Sequence, residues 1–258
     1  MNLLNFKEEH LPVRDLEKIG LASDGQLLLN VDDLKALLSG RRTDLLELSD
    51  LEAENIRIKS LHAKISLKMN DNGKADLLVH PIYHTAITPD FLTDNEAQRL
   101  QKGEVQNLLR ILQDDKGNKT ELLVEYDAET REFIVSDSEK ILVPDMVNNE
   151  FLTPTQKENY RKGKEVQIAD GTKFNYSGTD RQGILSDRLA LVASVLIDGG
   201  LSYMVYRGLN ALFNKKRDEK AAGRLSPGYY AAIRDIEDQR PDRSDQAAHN
   251  YKGNEISH

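Results

Sequence analysis

The sequence predicts an α+β protein assembled from small modules: a helix-hairpin module, two helix-plus-β-meander repeats and a C-terminal helical segment. Three observations predict it. The spacing of apolar residues changes along the chain from near 3.6 to 2, the signature of helices giving way to strands. One capped-helix pattern recurs at an offset of 60 residues, from Phe91 to Phe151. An uncharged run, Leu189 to Ile197, opens the last quarter. Across 258 residues, 39% are hydrophobic, 30% are charged and none is Trp. Several modest cores suit this composition better than one large core. The expected segments are 1–87, 88–150, 151–185, 186–222 and 223–258.

In the first segment, Leu11, Val13, Leu16, Ile19 and Leu21 fall near helical spacing between Glu8 and Leu21, and Gly20 supplies a stop. Asp24-Gly25 is a turn. Asn30 caps a second helix over residues 31–39, whose first turn carries Asp32 and Asp33, and Gly40 closes it. The pair has the outline of a helix-turn-helix. Its second helix, however, offers Asp32, Asp33 and Lys35 rather than the Arg, Asn and Gln that read base edges. Ala63, Ile65, Leu67 and Met69 then alternate with Lys64, Ser66 and Lys68, a strand with one buried face. Ile56 and Ile58 run in the opposite phase, which predicts a bulge near Lys59-Ser60. Asn70 to Gly73 turns the chain into a return strand carrying Ala75, Leu77 and Val79.

The repeat aligns Phe91-Leu92-Thr93 with Phe151-Leu152-Thr153, and Lys102-Gly103 with Lys162-Gly163. Thr93 with Glu96, and Thr153 with Gln156, have capping-box spacing, and Pro154 suits a first helical position. Gly103 and Gly163 suit the left-handed position just past a helix end. Three strands follow the first helix, in LLRILQ, TELLVEY and REFIVSD. A pared-down pair, KEVQIA and TKFNY, follows the second. Units this small bury little core alone, so they are expected to pack on each other or on a partner.

Two sets of residues carry a family resemblance. Leu11-Pro12, Leu16 and Gly20, followed by Leu37-Leu38-Ser39-Gly40-Arg41-Arg42-Thr43, resemble the N-terminal module of a family of unknown function found on conjugative and integrative elements of Bacteroides-type bacteria. The Leu-Thr, Lys-Gly-Lys, Tyr and Arg pattern of the repeats is similar to a second domain of unknown function that follows it. Together they span about residues 5–185. The resemblance implies a cytoplasmic protein of a mobile element, with topoisomerase-like DNA-processing domains as neighbours. It brings no catalytic residues to carry over, and this sequence has no catalytic tyrosine flanked by an acidic metal-binding cluster.

The window from Leu189 to Phe213 is long enough for a membrane span. It is interrupted by Asp198, Arg207, Asn210, glycines and serines, which favours a helical hairpin hinged at Gly199-Gly200. Lys215-Lys216-Arg217 follows, as in an interfacial membrane helix. Ser226-Pro227 starts a short helix, and residues from Arg240 onward are expected to be a disordered tail.

Charge divides unevenly. Residues 1–150 hold 18 Lys and Arg against 29 Asp and Glu, and residues 151–258 hold 17 against 14. An acidic front half does not suit wrapping by nucleic acid. With no cysteine there is no disulfide, thiolate metal site or cysteine nucleophile, which fits a reducing compartment. His80 and His84 have an i, i+4 spacing, but Pro81 opposes a helix and no carboxylate completes a metal site, so they are expected to be strand histidines facing solvent. No phosphate-binding glycine loop or nucleophile elbow is present. The expectation is a non-enzymatic accessory or adaptor protein with no catalytic residues, no metal and no cofactor. It would act through a protein partner or self-association, and no small-molecule ligand is indicated. Partner contacts would fall on Val195, Leu196, Met204, Leu209 and Phe213. The alternative is nucleic-acid binding through Arg41, Arg42, Lys157, Arg161, Lys162, Lys164, Lys173, Arg181 and Arg188. The third reading is membrane association through residues 189–213.

Overall fold

The computed structural model describes residues 6–53, 56–197, 200–207 and 226–238. The chain opens with a 3-10 turn at Glu8–His10, helix α1 (Val13–Lys18), a short hairpin of β1 (Ala22–Ser23) and β2 (Gln26–Leu27), and helix α2 (Val31–Leu38). The helix expected from Glu8 to Leu21 is therefore split. Pro12 has no N–H and drives the residue before it out of the helical region, and Leu11 is extended at φ −63, ψ 129. The second helix is as the sequence implies. Asn30 caps it by accepting a 2.8 Å bond from the Asp33 amide.

Strands β3 (Leu46–Ala53), β4 (Ile56–Met69) and β5 (Ala75–Pro81) form an antiparallel sheet in that order. The first of these has no counterpart in the sequence reading. The expected bulge near Lys59-Ser60 is also absent. Leu48↔Leu61, Ser49↔Ser60 and Leu51↔Ile58 keep one register. Ile58 points away from the face that carries Ala63 and stays 39% exposed. The change of phase reflects unequal cover. The second face of β4 is buried only further along, at Lys64 and Ser66. The first face packs Ala63, Ile65 and Leu67 against Leu16, Leu37 and Leu48 to form the core of this module.

Each repeat is a helix followed by a three-stranded antiparallel meander. Helix α3 (Asp94–Gln101) precedes β6 (Asn107–Gln113), β7 (Lys119–Asp127) and β8 (Glu132–Asp137). The hairpin of β9 (Met146–Val147) and β10 (Glu150–Phe151) comes next. Helix α4 (Pro154–Arg161) then precedes β11 (Val166–Gln167), β12 (Lys173–Tyr176) and β13 (Ile184–Ser186), one strand more than expected. Both capping boxes form, at Thr93–Glu96 and Thr153–Gln156. The repeats meet at β7, which is covered on both faces. Val124 packs under α3 with Leu92 and Leu100. Leu123 joins Tyr160, Phe174 and Ile184 in the core of the second unit.

The segment expected to be a helical hairpin is a β-hairpin. Strands β14 (Leu191–Ile197) and β15 (Gly200–Arg207) pair antiparallel, and β14 also pairs with β9 in a four-stranded sheet ordered β10-β9-β14-β15. The run lacks charge because its middle, Ala190 to Val195, is buried on both faces, and periodicity alone does not separate such a strand from a buried helix. Leu191 and Ala193 enter the core of the second unit. Ala190 and Val192 pack against Tyr229 and Ala232 of helix α5 (Pro227–Asp238). That helix starts where the sequence placed it, with the Ser226 hydroxyl accepting a 3.1 Å bond from the Tyr229 amide. Leu209, Phe213, the basic run Lys215-Lys216-Arg217 and the tail from Arg240 lie outside the described residues. Among the described residues, no helix is long and apolar enough to cross a membrane.

The two Lys-Gly helix stops are alike in sequence and differ in setting. Gly103 has φ +68, and a side chain there would meet nothing within 4 Å. Gly163 has φ +66, and a Cβ would lie 2.6 Å from the Asn107 amide nitrogen and 2.9 Å from Leu123. Gly103→Ala should therefore cost about 1 kcal/mol, the left-handed penalty alone. Gly163→Ala should cost roughly 1–3 kcal/mol more, because the second unit can no longer seat on β7. Denaturant unfolding of the two variants measures the difference, and equal losses would contradict this packing.

Candidate functional site

The basic loop after α2 turns inward and joins the modules. Arg42 donates to Glu132 at 2.7 Å and to the Thr130 hydroxyl at 3.2 Å, and lies 3.8 Å from Asp127. Lys64, from the second face of β4, donates to Asp127 at 2.9 Å and lies 2.8 Å from Glu129. Burial works against the Lys64 charge, but its hydrogen bonds to Glu129 and Asp127 outweigh that and hold its pKa above the usual value. His80 lies between Ser66, at 2.8 Å, and Glu132, at 3.4 Å. It is thus half-buried at the junction rather than facing solvent, because the meander covers this end of β5. Burial and then Arg42 push its pKa down, against the pull of Glu132. Only His84 of the pair is exposed. Among the described residues, no group of three or more acidic or imidazole side chains could hold a metal.

Arg41 goes the other way, toward the second unit. Its Nε donates to the backbone carbonyl of Arg181 at 2.9 Å. The Arg181 side chain returns to the first module, 2.7 Å from Asp44, 3.5 Å from Asp32 and 3.6 Å from Asp33. The helix-start carboxylates thus also anchor the second repeat.

Where these elements meet there is a cavity of about 210 Å3. Ser39 to Arg41 line it from the first module, Ser136 and Lys140 from the first meander, and Tyr160, Tyr176 and Gln182-Gly183 from the second unit. Tyr160 donates to the Gly183 carbonyl at 2.8 Å, and its ring meets Tyr176 edge-on at 5.9 Å. Burial pushes the Tyr160 hydroxyl well up. It does the same to Tyr176, against a hydrogen bond with Ser136. Both phenols therefore stay protonated at neutral pH. Burial lowers the Arg41 pKa, with Tyr160, Tyr176 and Asp180 pulling the other way. Beyond Tyr176, buried Glu125 on β7 accepts bonds from the Ser177 hydroxyl at 2.7 Å and the Gly178 amide at 2.6 Å. Burial raises its pKa to about 7 despite those two bonds. Sequence reasoning missed Glu125. The signal was a carboxylate inside the otherwise apolar stretch Leu122 to Tyr126. The arrangement offers hydrogen-bond donors to an oxygen-bearing ligand, next to a carboxyl that changes charge near neutrality.

Most of the cations proposed for nucleic acid are paired with carboxylates. Lys157 pairs with Asp145, Lys162 with Glu158 at 2.8 Å, and Lys173 with Glu165 at 2.9 Å. Arg161 lies 3.9 Å from Glu158, and its Nε, like that of Arg188, is buried without a hydrogen-bond partner. Lys164 is exposed just past the end of α4. Of the residues proposed for partner contact, Val195 is 5% exposed and Leu196 46%. Met204 is an extra residue on β15 between the pairs Ala193↔Val205 and Ser194↔Tyr203.

Residues 6–89 match the model of a family described as a protein of unknown function (DUF4099). The match covers the module that supplies Arg41, Arg42, Lys64 and His80. No curated protein and no solved structure matches the chain.

Glu125 makes stability depend on pH. Its folded pKa, about 7, lies above the ordinary 4.5, so folding takes up a proton between these values. The stabilisation is complete below pH 4.5 and is lost as pH rises to about 7. In Glu125→Gln the amide NH2 can donate to Ser177 while its oxygen accepts from Gly178. The variant should gain on the wild type by about 3 kcal/mol between the two ends of this window. Denaturant unfolding below pH 4.5 and above pH 7 reads the gain, and a gap that stays constant would rule out a buried titrating carboxyl.

Proposed function

We propose that this protein is a non-enzymatic adaptor that supports DNA transfer or processing on a mobile genetic element, working in the cytoplasm through protein–protein contacts. The observation that carries the reading is an apolar end of the four-stranded sheet. Phe151 is 60% exposed and Leu196 is 46% exposed. Phe151 pairs across from Met146, and Met146 from Ser194, so Phe151, Ser194 and Leu196 share the face that α5 covers at Ala190 and Val192. Exposed aromatic and aliphatic side chains next to a packed helix suit a protein partner. The pairing of Lys157, Lys162, Lys173 and Arg181 with carboxylates leaves less charge for phosphates, which favours this reading over direct nucleic-acid binding. The mobile-element setting rests on the sequence resemblance of the first module and the repeats.

Val195 and Leu196 are neighbours with opposite expectations. Val195→Asp buries an unpaired charge and should lower the unfolding midpoint clearly. Leu196→Asp should leave stability within about 0.5 kcal/mol. Tagged wild type recovered from a host carrying the element should bring down a defined protein, and Phe151→Asp with Leu196→Asp should lose it while remaining folded. Recovery of nucleic acid instead, with affinity falling steeply in salt and unchanged in the double variant, would replace the adaptor by a nucleic-acid-binding protein.

A further inference from the structure

Arg41 differs from the arginines around it in what its guanidinium holds. Arg42 has Glu132, Thr130 and Asp127, and Arg181 has three carboxylates. The Arg41 Nε donates to a neutral carbonyl. Among the described residues its two terminal nitrogens donate to nothing, yet they are not among the buried atoms left unpaired. They therefore keep accessible surface, on a residue that lines the cavity. A half-buried guanidinium with free donors suits an anionic acceptor, because a charge-assisted bond there is screened less than on the open surface.

From this we propose that the junction cavity binds a small monocarboxylic acid with an apolar body, Arg41 holding the carboxylate. The planar guanidinium matches a carboxylate through two parallel N–H bonds. The rest of the wall is mixed, with Ser136 and Gln182 polar and Val135, Ile141, Leu142 and Ile184 apolar. A volume of about 210 Å3 is below the ~300 Å3 at which drug-sized sites begin, so the body is no larger than a single ring. A phosphate dianion fits less well. Lys140 is already paired with Asp137 at 3.0 Å, so among the described residues no second cation is free beside Arg41 for a second charge, and the apolar wall offers phosphate nothing. The ligand would touch the DUF4099-like module and both repeats at once, so its binding would tighten their junction.

The test is a titration of the full chain with isobutyrate and with benzoate, followed by calorimetry and amide NMR. The neutral isosteres isobutyramide and benzamide and inorganic phosphate serve as comparisons. At least one carboxylate should saturate at about 1 mM or below, about tenfold tighter than its amide and than phosphate. Arg41→Lys keeps the charge and loses the paired geometry, and should weaken binding about tenfold with an unfolding midpoint near wild type. Equal binding of acid and amide, tighter binding of phosphate, undiminished binding by Arg41→Lys, or no saturation by either acid overturns the proposal. If Arg41→Lys does not fold, the acid-to-amide ratio on the wild-type protein decides.

Discussion

A carboxylate that is 2% exposed must be neutralised or hydrogen-bonded, and Asp127 at the end of β7 is both. One oxygen accepts from Lys64 and lies near Arg42, both from the first module. The other accepts from the Glu129 amide and shapes the turn into β8. One side chain therefore sets a local turn and holds the first meander on the first module. A buried pair of this kind is weak evidence for stability, since an apolar contact of the same shape can do as well. Its value is directional. Lys64 and Arg42 reach Asp127 together in one orientation of the meander, and that orientation also places Glu132 against His80 and sends Arg41 to the opposite side.

Two strands carry the rest of the assembly by being covered on both faces. Along β7, Leu123 and Val124 bury into different cores, which joins the repeats through one backbone. Along β14, Leu191 and Ala193 face the second unit while Val192, with Ala190 just before the strand, faces α5. Asn148 secures the same region. It accepts from the Val192 amide and donates to Asp170 and Ser226, joining the β9–β10 hairpin, the second unit and the cap of α5. None of these units buries a large core alone, and sharing strands lets modest cores stabilise one another.

The junction cavity follows from the same economy. Adjacent residues Arg41 and Arg42 follow α2 in opposite directions, one to each repeat, and Tyr160 and Tyr176 join aliphatic side chains in walling the cavity beside Arg41. A site built this way reports on whether the modules are seated, because moving any one of them removes part of its wall. The proposed ligand would touch all three units and so stiffen their junction.

Features set by local chemistry were legible in the sequence. Asn30, Thr93, Thr153 and Ser226 mark their helix starts because a capping side chain bonds amides within three residues of itself. Lys-Gly marks the stops, and the Leu108–Gln113 and Thr120–Tyr126 strands show their edges through nearby turn residues. Strand β3 carries a shorter signal of the same kind, in the alternation Leu46, Glu47, Leu48. The run Leu189–Ile197 was not legible, because a strand buried on both faces and a buried helix have the same composition, and only pairing with β9 and β15 separates them. Lys64, His80 and Arg42 look like surface residues in the sequence. Their burial depends on Asp127 and Glu132, about 50 to 90 residues away, and nothing local encodes that. Local rules thus determined which elements form and where they begin. The tertiary structure alone decided which charges are buried and where the cavity lies, because those depend on long-range partners that no spacing reveals.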